Sequence, residues 1–263
     1  MDNFVDERDY KLLENDRYTF FVLNRIMGGK CTLLLTDHER LIVCYSCSPY
    51  PVWIWTADDA GTEDMERAYR LAKEHSLLDG KHRFNLKYDL ANYFIERGAK
   101  DNISLSISTN MYAYDCHNLI KPTVIADGSI HLCGVNDIDD LVNILDLFHR
   151  ETGVDQSDRD VYRQQAEESV NGGNTYFWKD RHSNNVASCK FVINGDMASI
   201  NLVFTLSEFR RKHYAENLVY RVTKLVMDAG YVPMLYTDAD YVASNACYEK
   251  IGYVLKGKLC TIG

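Results

Sequence analysis

The sequence predicts an α/β protein with a mixed, mostly antiparallel sheet flanked by helices, organised as two tandem domains. Three observations predict it. The chain has 263 residues, a length that suits two modest domains of about 100 to 200 residues better than one large one. At 46% hydrophobic and 12% aromatic it carries the side chains for real cores, which excludes a disordered or low-complexity chain. Apolar runs of strand type and helical type follow one another in a mixed order that a purely doubly wound parallel sheet does not produce. The best connection is 121–128, where Pro122 and Asp127-Gly128 supply turn chemistry, so the expected domains are 1–128 and 129–263.

In the first half, residues 32–35, 41–44 and 51–55 are short β-branched or aromatic runs and read as strands. Residues 63–78 place Met65, Ala68, Tyr69, Leu71 and Ala72 near helical spacing before Asp79-Gly80. Residues 83–87 read as a strand, 88–97 as a helix ending at Gly98, and 103–108 with 111–114 as a strand pair.

In the second half, 130–135 is an apolar strand. A helix follows to about Arg150, with Leu141, Ile144, Leu145 and Phe148 on one face, and 158–170 is a more polar helix. Three strands come next, 175–179, 185–193 and 198–204, with a hairpin signal at Asn194-Gly195. Ala215, Leu218, Val219, Val222, Leu225, Val226 and Ala229 then form the clearest 3.6-residue stripe in the chain, closed by Gly230. A strand at 234–237, a helix at 241–251 ending at Gly252, and strands at 253–255 and 258–261 complete the order.

Charge and cysteine usage narrow the function classes. With 29 Lys and Arg against 38 Asp and Glu, the net charge is −9, which argues against a whole-surface fit to nucleic acid or an anionic membrane. Asp2, Asp6, Glu7, Arg8 and Asp9 exclude a signal peptide over the first ten residues, and no window approaches the roughly 20 apolar residues of a membrane span. The eight cysteines are scattered singly through apolar runs, as reduced thiols in a cytoplasmic protein are. Cys44 and Cys47 form a CxxC without a second pair or a nearby pair of histidines, so strand thiols are expected there, with redox or metal chemistry as the alternative.

One short window runs against the acidic total. Residues 204–224 hold five Lys or Arg against two Glu, and Arg210, Arg211 and Lys212 stand just before the strongest helix. Cations at a helix N-terminus face the positive end of its dipole, whereas the first-turn amides there suit an anion. A bound polyphosphate relieves that conflict; a solvated basic turn is the alternative.

The order of residues goes further. The string 205–215 resembles the pyrophosphate loop of the GNAT superfamily of acyl-CoA N-acyltransferases, with Arg210 and Ala215 at the outer positions of its Arg/Gln, two residues, Gly, one residue, Gly/Ala pattern. Asn245, Tyr248, Gly252 and Tyr253 are similar to the family's second signature. The resemblance covers roughly 130–263. It departs at His213, which stands where the family has glycine, and at Arg211, also often glycine there. Helical φ and ψ in a first turn need no glycine, so His213 is expected to present its N–H in that conformation.

The resemblance implies acetyl-CoA as acyl donor and an amine of a small molecule or peptide as acceptor. It places the cofactor at Phe204, Thr205, Arg210, Arg211, Lys212, His213, Tyr214, Ala215 and Asn245, with the pantetheine arm between strands 198–204 and 234–237. Tyr248 matches the usual general acid, whose phenol protonates the leaving thiolate; a core aromatic is its bland alternative. No carboxylate lies within 198–204, and Asp196, Glu208, Glu168 and His213 are only loose candidates for the base. Cys189 and Cys247 are expected as buried thiols. A non-catalytic CoA sensor or a protein-interaction module on a degenerate GNAT fold is the rival function.

The first half repeats an order of helix, Gly, strand, helix, Gly and strands. Gly80 and Gly98 precede Gly230 and Gly252 by 150 and 154 positions. Either a diverged duplicate or a chance recurrence explains this. The equivalent loop, 56–64, carries Asp58, Asp59, Glu63 and Asp64 and would repel a pyrophosphate.

Overall fold

In the computed structural model of the chain, residues 1–152 and 156–263 are described. They divide into two compact units, Met1–Tyr114 with Thr237–Tyr241 and Leu255–Gly263, and Asp115–Tyr236 with Val242–Val254. The division expected at 128/129 therefore differs from the one the contacts make. The reason is the last strand, β11 (Val254–Ile262), which is continuous where a strand pair was expected. It pairs antiparallel with β4 (Phe84–Leu86), setting Cys260 opposite Leu86 and Ile262 opposite Phe84.

Two short helices of the first unit, α1 (Glu7–Leu12) and α2 (Phe21–Met27), lie outside the sequence expectation. The acidic start of the chain folds because its carboxylates find donors: Asp6 caps α1 through the Arg8 N–H. Asp9, fully buried, accepts from Thr36 Oγ1 at 2.5 Å and meets His38 Nδ1 at 2.7 Å. Strands β1 (Leu33–Thr36), β2 (Leu41–Tyr45) and β3 (Val52–Thr56) follow, then α3 (Thr62–Glu74), β4, α4 (Tyr88–Lys100) and β5 (Ile107–Asp115). The strand order is β1-β2-β3-β4-β11-β5. Every residue of β2 and β3 is buried, since both faces are covered. Leu41, Val43 and Ile54 pack with Ala68 and Tyr69 of α3 and with Leu90 and Phe94 of α4. On the other face Phe20, beside α2, sets its ring edge to Trp53 at 6.1 Å.

The second unit holds β6 (Ser129–Leu132), α5 (Ile138–Thr152), α6 (Arg159–Asn171), β7 (Thr175–Lys179), β8 (Asn185–Asn194), β9 (Met197–Thr205), α7 (Tyr214–Asp228), β10 (Val232–Asp238) and α8 (Val242–Lys250). Its strands run β10-β9-β8-β7-β6. They are antiparallel except where β10 lies parallel to β9. Leu141 and Leu145 of α5 and Tyr162 of α6 pack with Phe177, Leu202 and Phe204. Leu218, Val219, Val222 and Val226 of α7 are buried, each such side chain stabilising by about 1.5–3 kcal/mol. Leu225, counted in the same stripe, is 44% exposed.

Two glycines fix chain crossings in this unit. Gly128 has φ +87°, and a Cβ there would lie 1.9 Å from the Lys179 carbonyl oxygen. Gly252 has φ +101°, and its Cβ would lie 2.1 Å from the Asn118 carbonyl oxygen. Among the described residues no helix is long and apolar enough to cross a membrane.

Candidate functional site

The site is built where β9 delivers the chain to α7. The parallel pairing of β9 with β10 covers Met197, Ala198 and Ser199 opposite Val232, Pro233 and Met234. Beyond Ser199, β9 continues to Thr205 with no further β10 partner in that register, so the two strands part. A bulge helps to turn β9 away. Ser188 lies opposite Phe204 but Lys190 lies opposite Asn201, which leaves one extra residue on β9. Leu202 takes φ +49° in that bulge, and its carbonyl accepts the buried Ser188 hydroxyl at 2.8 Å.

After Thr205 the chain makes a 3-10 turn at Ser207–Phe209. Arg210 then staples the loop: its Nε donates to the Thr205 carbonyl at 3.1 Å, its guanidinium pairs with Glu151 at the end of α5, and it lies over the Phe204 ring. Lys212 is exposed over the Phe209 ring at 5.0 Å.

His213 does not adopt the helical conformation expected of it. It stands at φ +62°, ψ 12°, left-handed, as the residue before α7, and Arg211 also has φ +62°. These are the two positions where the resemblance calls for glycine, and the backbone has kept a shape that glycine adopts freely. For an ordinary residue that conformation costs roughly 1–2 kcal/mol.

The first turn of α7 carries no side-chain cap. The His213 carbonyl is taken by the Asn217 N–H at 3.1 Å and its Nδ2 at 2.9 Å, while the His213 ring nitrogen Nδ1 lies 3.1 Å from Glu216 Oε2. Tyr214 turns inward, 5% exposed, and donates its hydroxyl to Asp127 Oδ1 at 2.7 Å. Burial first, and then the Asp127 carboxylate, push the Tyr214 phenol up to about 12. The same hydrogen bond holds Asp127 below the usual carboxylate range.

The wall beside this helix start lies outside the sequence expectation. A concavity of about 450 Å³ is lined by Asp127, Asp180, Arg181, Phe209, Lys212 and Tyr214. The Asp180 carboxylate accepts the His182 and Asn184 N–H groups, both at 2.9 Å, and so fixes the loop that carries Arg181. The turn signal at Asp127-Gly128 was visible, but its reach to Tyr214 spans 87 positions and no local pattern encodes it.

The remaining expected residues separate by role. Phe204 is 6% exposed; its ring packs edge-on against Phe148 in the core and also carries the Arg210 guanidinium of the loop. Asn245 and Tyr248 share one face of α8, three apart, and are 7% and 6% exposed. The Tyr248 ring meets Tyr253 edge-on at 5.9 Å, and burial pushes its phenol well above the ordinary tyrosine value. Among the loose base candidates, Asp196 lies at the opposite end of β9 from Thr205, and Glu168 receives Gln164 Nε2 at 3.0 Å. Cys189 is fully buried, and burial pushes the Cys247 thiol up to about 12.

Residues 181–261, which include both signature stretches, match the family described as FR47-like protein, a GNAT-related family. Among solved structures the chain is similar to a GCN5-related N-acetyltransferase from Sphaerobacter thermophilus, at 9% identity and TM-score 0.66, over 97% of this chain and 90% of that one. The fold is that of the GNAT acetyltransferases. A GCN5-related N-acetyltransferase from Kribbella flavida shares this GNAT fold at 14% identity, TM-score 0.62 and 95% coverage of each chain. An acetyltransferase of the GNAT family from Colwellia psychrerythraea does so at 10% identity and TM-score 0.61, over 99% of this chain and 97% of that one. No curated protein sequence matches the chain.

Proposed function

We propose that the protein is an acyl-CoA-dependent N-acetyltransferase that moves an acetyl group from acetyl-CoA to the amine of a small molecule or peptide. The observation that carries this reading is the uncapped start of α7, which follows a strand that parts from its parallel neighbour and a loop that holds Arg211 and His213 in glycine-like conformations. Unpaired first-turn amides and the helix dipole suit a pyrophosphate. The backbone N–H groups of 211–215 would hold it, since that of Arg210 donates to the Ser207 carbonyl at 3.4 Å, and the gap between β9 and β10 would take the pantetheine arm.

Transfer is direct. A neutral amine attacks the thioester carbonyl, an N–H donor on the parted β9 steadies the oxyanion, and the C–S bond breaks as the thiolate takes a proton. Tyr248 is the proposed acid, with Asn245 one turn before it along the cofactor arm. Burial keeps the Tyr248 proton in place across the physiological range. A thiolate expelled into the same dry surroundings has its own basicity raised, so proton transfer between the two stays feasible.

Calorimetric titration with acetyl-CoA tests binding, and acyl transfer to a panel of amines tests the reaction. Heat and thermal stabilisation at millimolar acetyl-CoA are expected. No stabilisation at that concentration removes the acyl-CoA reading altogether. Binding without transfer to any amine, or a Tyr248→Phe variant as fast as the parent, moves the protein towards a CoA sensor or interaction module.

A further inference from the structure

The CxxC pair read from the sequence is not the thiol pair that the fold brings into contact. Cys44 lies in the middle of the antiparallel ladder, opposite Leu34 on β1 and Trp53 on β3, and is fully buried. Its sulfur is 3.4 Å from that of Cys31, which follows α2 and the Gly28-Gly29 turn and remains half-buried. Cys31 Sγ also lies 2.9 Å from the Ile26 carbonyl oxygen, a contact that holds it over the strand. Cys47, the other member of the CxxC, is exposed beyond the end of β2. A bonded sulfur pair is about 2.05 Å apart, so the Cys31 and Cys44 sulfurs, at 3.4 Å, have roughly 1.3 Å to close.

We infer that Cys31 and Cys44 are a redox pair that closes to a disulfide, pinning the end of α2 to β2. The oxidant is a low-molecular-weight disulfide, and the half-buried Cys31 is the sulfur it reaches. The Cys31 thiol attacks RSSR, giving a Cys31–S–S–R mixed disulfide and one RSH. The Cys44 sulfur then attacks the Cys31 sulfur, the S–SR bond breaks, and the departing RS⁻ takes the Cys44 proton as the second RSH. Two thiols lose two electrons, and one RSSR becomes two RSH. Burial, together with the neighbouring Cys31 sulfur, pushes the Cys44 thiol far up. A thiol is a poorer nucleophile than a thiolate, so the second step is slower than the first and the mixed disulfide builds up transiently. The closed bond spans 13 positions and restricts the unfolded chain. None of this depends on acetyl transfer.

The test uses the full chain, reduced and then incubated with increasing ratios of oxidised to reduced glutathione. Intact mass spectrometry is expected to show an early glutathione adduct that gives way to a loss of about 2 Da, and non-reducing peptide mapping to link Cys31 to Cys44. The oxidised form should melt roughly 5 °C or more above the reduced one. Cys31→Ser should remove the mass loss while melting like the reduced parent, and Cys47→Ser should retain it. An unchanged mass across the whole range, an adduct that never resolves, or a bond mapped to Cys44 and Cys47 each overturns the inference. So does a mass loss that survives Cys31→Ser.

Discussion

Two stretches of this chain share one backbone plan and differ in what they can hold. In the second unit β9 leads through a loop to α7 and on to β10, with a parallel pairing three residues long. In the first unit β3 leads to α3 and on to β4, with a parallel pairing of Val52 with Phe84 and Trp53 with Asn85. We propose the two as diverged copies. The start of α7 has no side-chain cap and follows three cations. The start of α3 likewise has no side-chain cap, but carboxylates close it to an anion: Asp64 Oδ2 accepts the Gly61 N–H at 3.2 Å and Arg40 Nε at 3.0 Å, with Asp58, Asp59 and Glu63 close by in sequence. At the end of β3, Lys87 Nζ donates to the Thr56 carbonyl at 3.1 Å and pairs with Asp16 at 2.6 Å and Asp58 at 2.5 Å. The backbone plan supplies a potential anion site, and the charge around it decides whether it stays open.

The largest expected effect tests whether the open copy is catalytic. Tyr248→Phe should slow acetyl transfer on the order of 10²-fold or more while acetyl-CoA affinity, read by calorimetry, is unchanged. Next comes converting the open helix start into a likeness of the closed one. His213→Asp puts a carboxylate before α7, in a conformation that Asp tolerates, and should weaken acetyl-CoA binding about tenfold in the same titration. Unchanged affinity would mean that the α7 start does not meet the phosphates.

How much of this was legible in the sequence follows the same contrast. α7 is readable because its apolar stripe, its closing Gly230 and the cations before it are local signals: the helix expected just after Lys212 begins at Tyr214. α1 and α2 were not, because what makes the acidic start fold is Asp9 meeting Thr36 and His38 about 30 positions away. The break expected between strands 103–108 and 111–114 falls on Thr109 and Asn110, yet β5 begins only at Ile107 and runs straight through both with half-buried side chains. Of the candidate site, the residue types were legible and the backbone was not. Nothing in a His or an Arg announces a left-handed conformation, so His213 was expected to be helical.

Smaller effects sharpen the comparison. Asp64→Ala opens the start of α3 and should cost about 1 kcal/mol, a fall in Tm of roughly 2–4 °C, without creating a second acetyl-CoA site, because Lys87 still fills the end of β3. A second binding event in calorimetry would contradict that account of Lys87. His213→Gly and Arg211→Gly restore the residue the backbone conformation prefers and should each add about 0.5–1 kcal/mol in denaturant unfolding, the relief of strain being partly offset by chain entropy.

The smallest effect is a pH dependence at the start of α7. The Asp127 carboxyl is held low, so its contribution is present above about pH 4 and lost as pH falls. The Tyr214 phenol is raised to about 12, so its contribution is full below about pH 10 and lost as pH climbs towards 12. Tyr214→Phe should flatten both limbs of the stability profile relative to the parent.

The pairing of β11 with β4 has a consequence for how the chain is made. Cys260 and Leu86 meet across 174 positions of sequence. At ribosomal rates of about 5–20 residues per second, β4 waits roughly 10 to 35 s with one edge open before its partner strand has been synthesised. An open edge held that long invites pairing with another nascent copy. The first unit therefore cannot settle as an independent early folder, and its yield in a cell should respond to translation speed and to chaperones that cover strand edges.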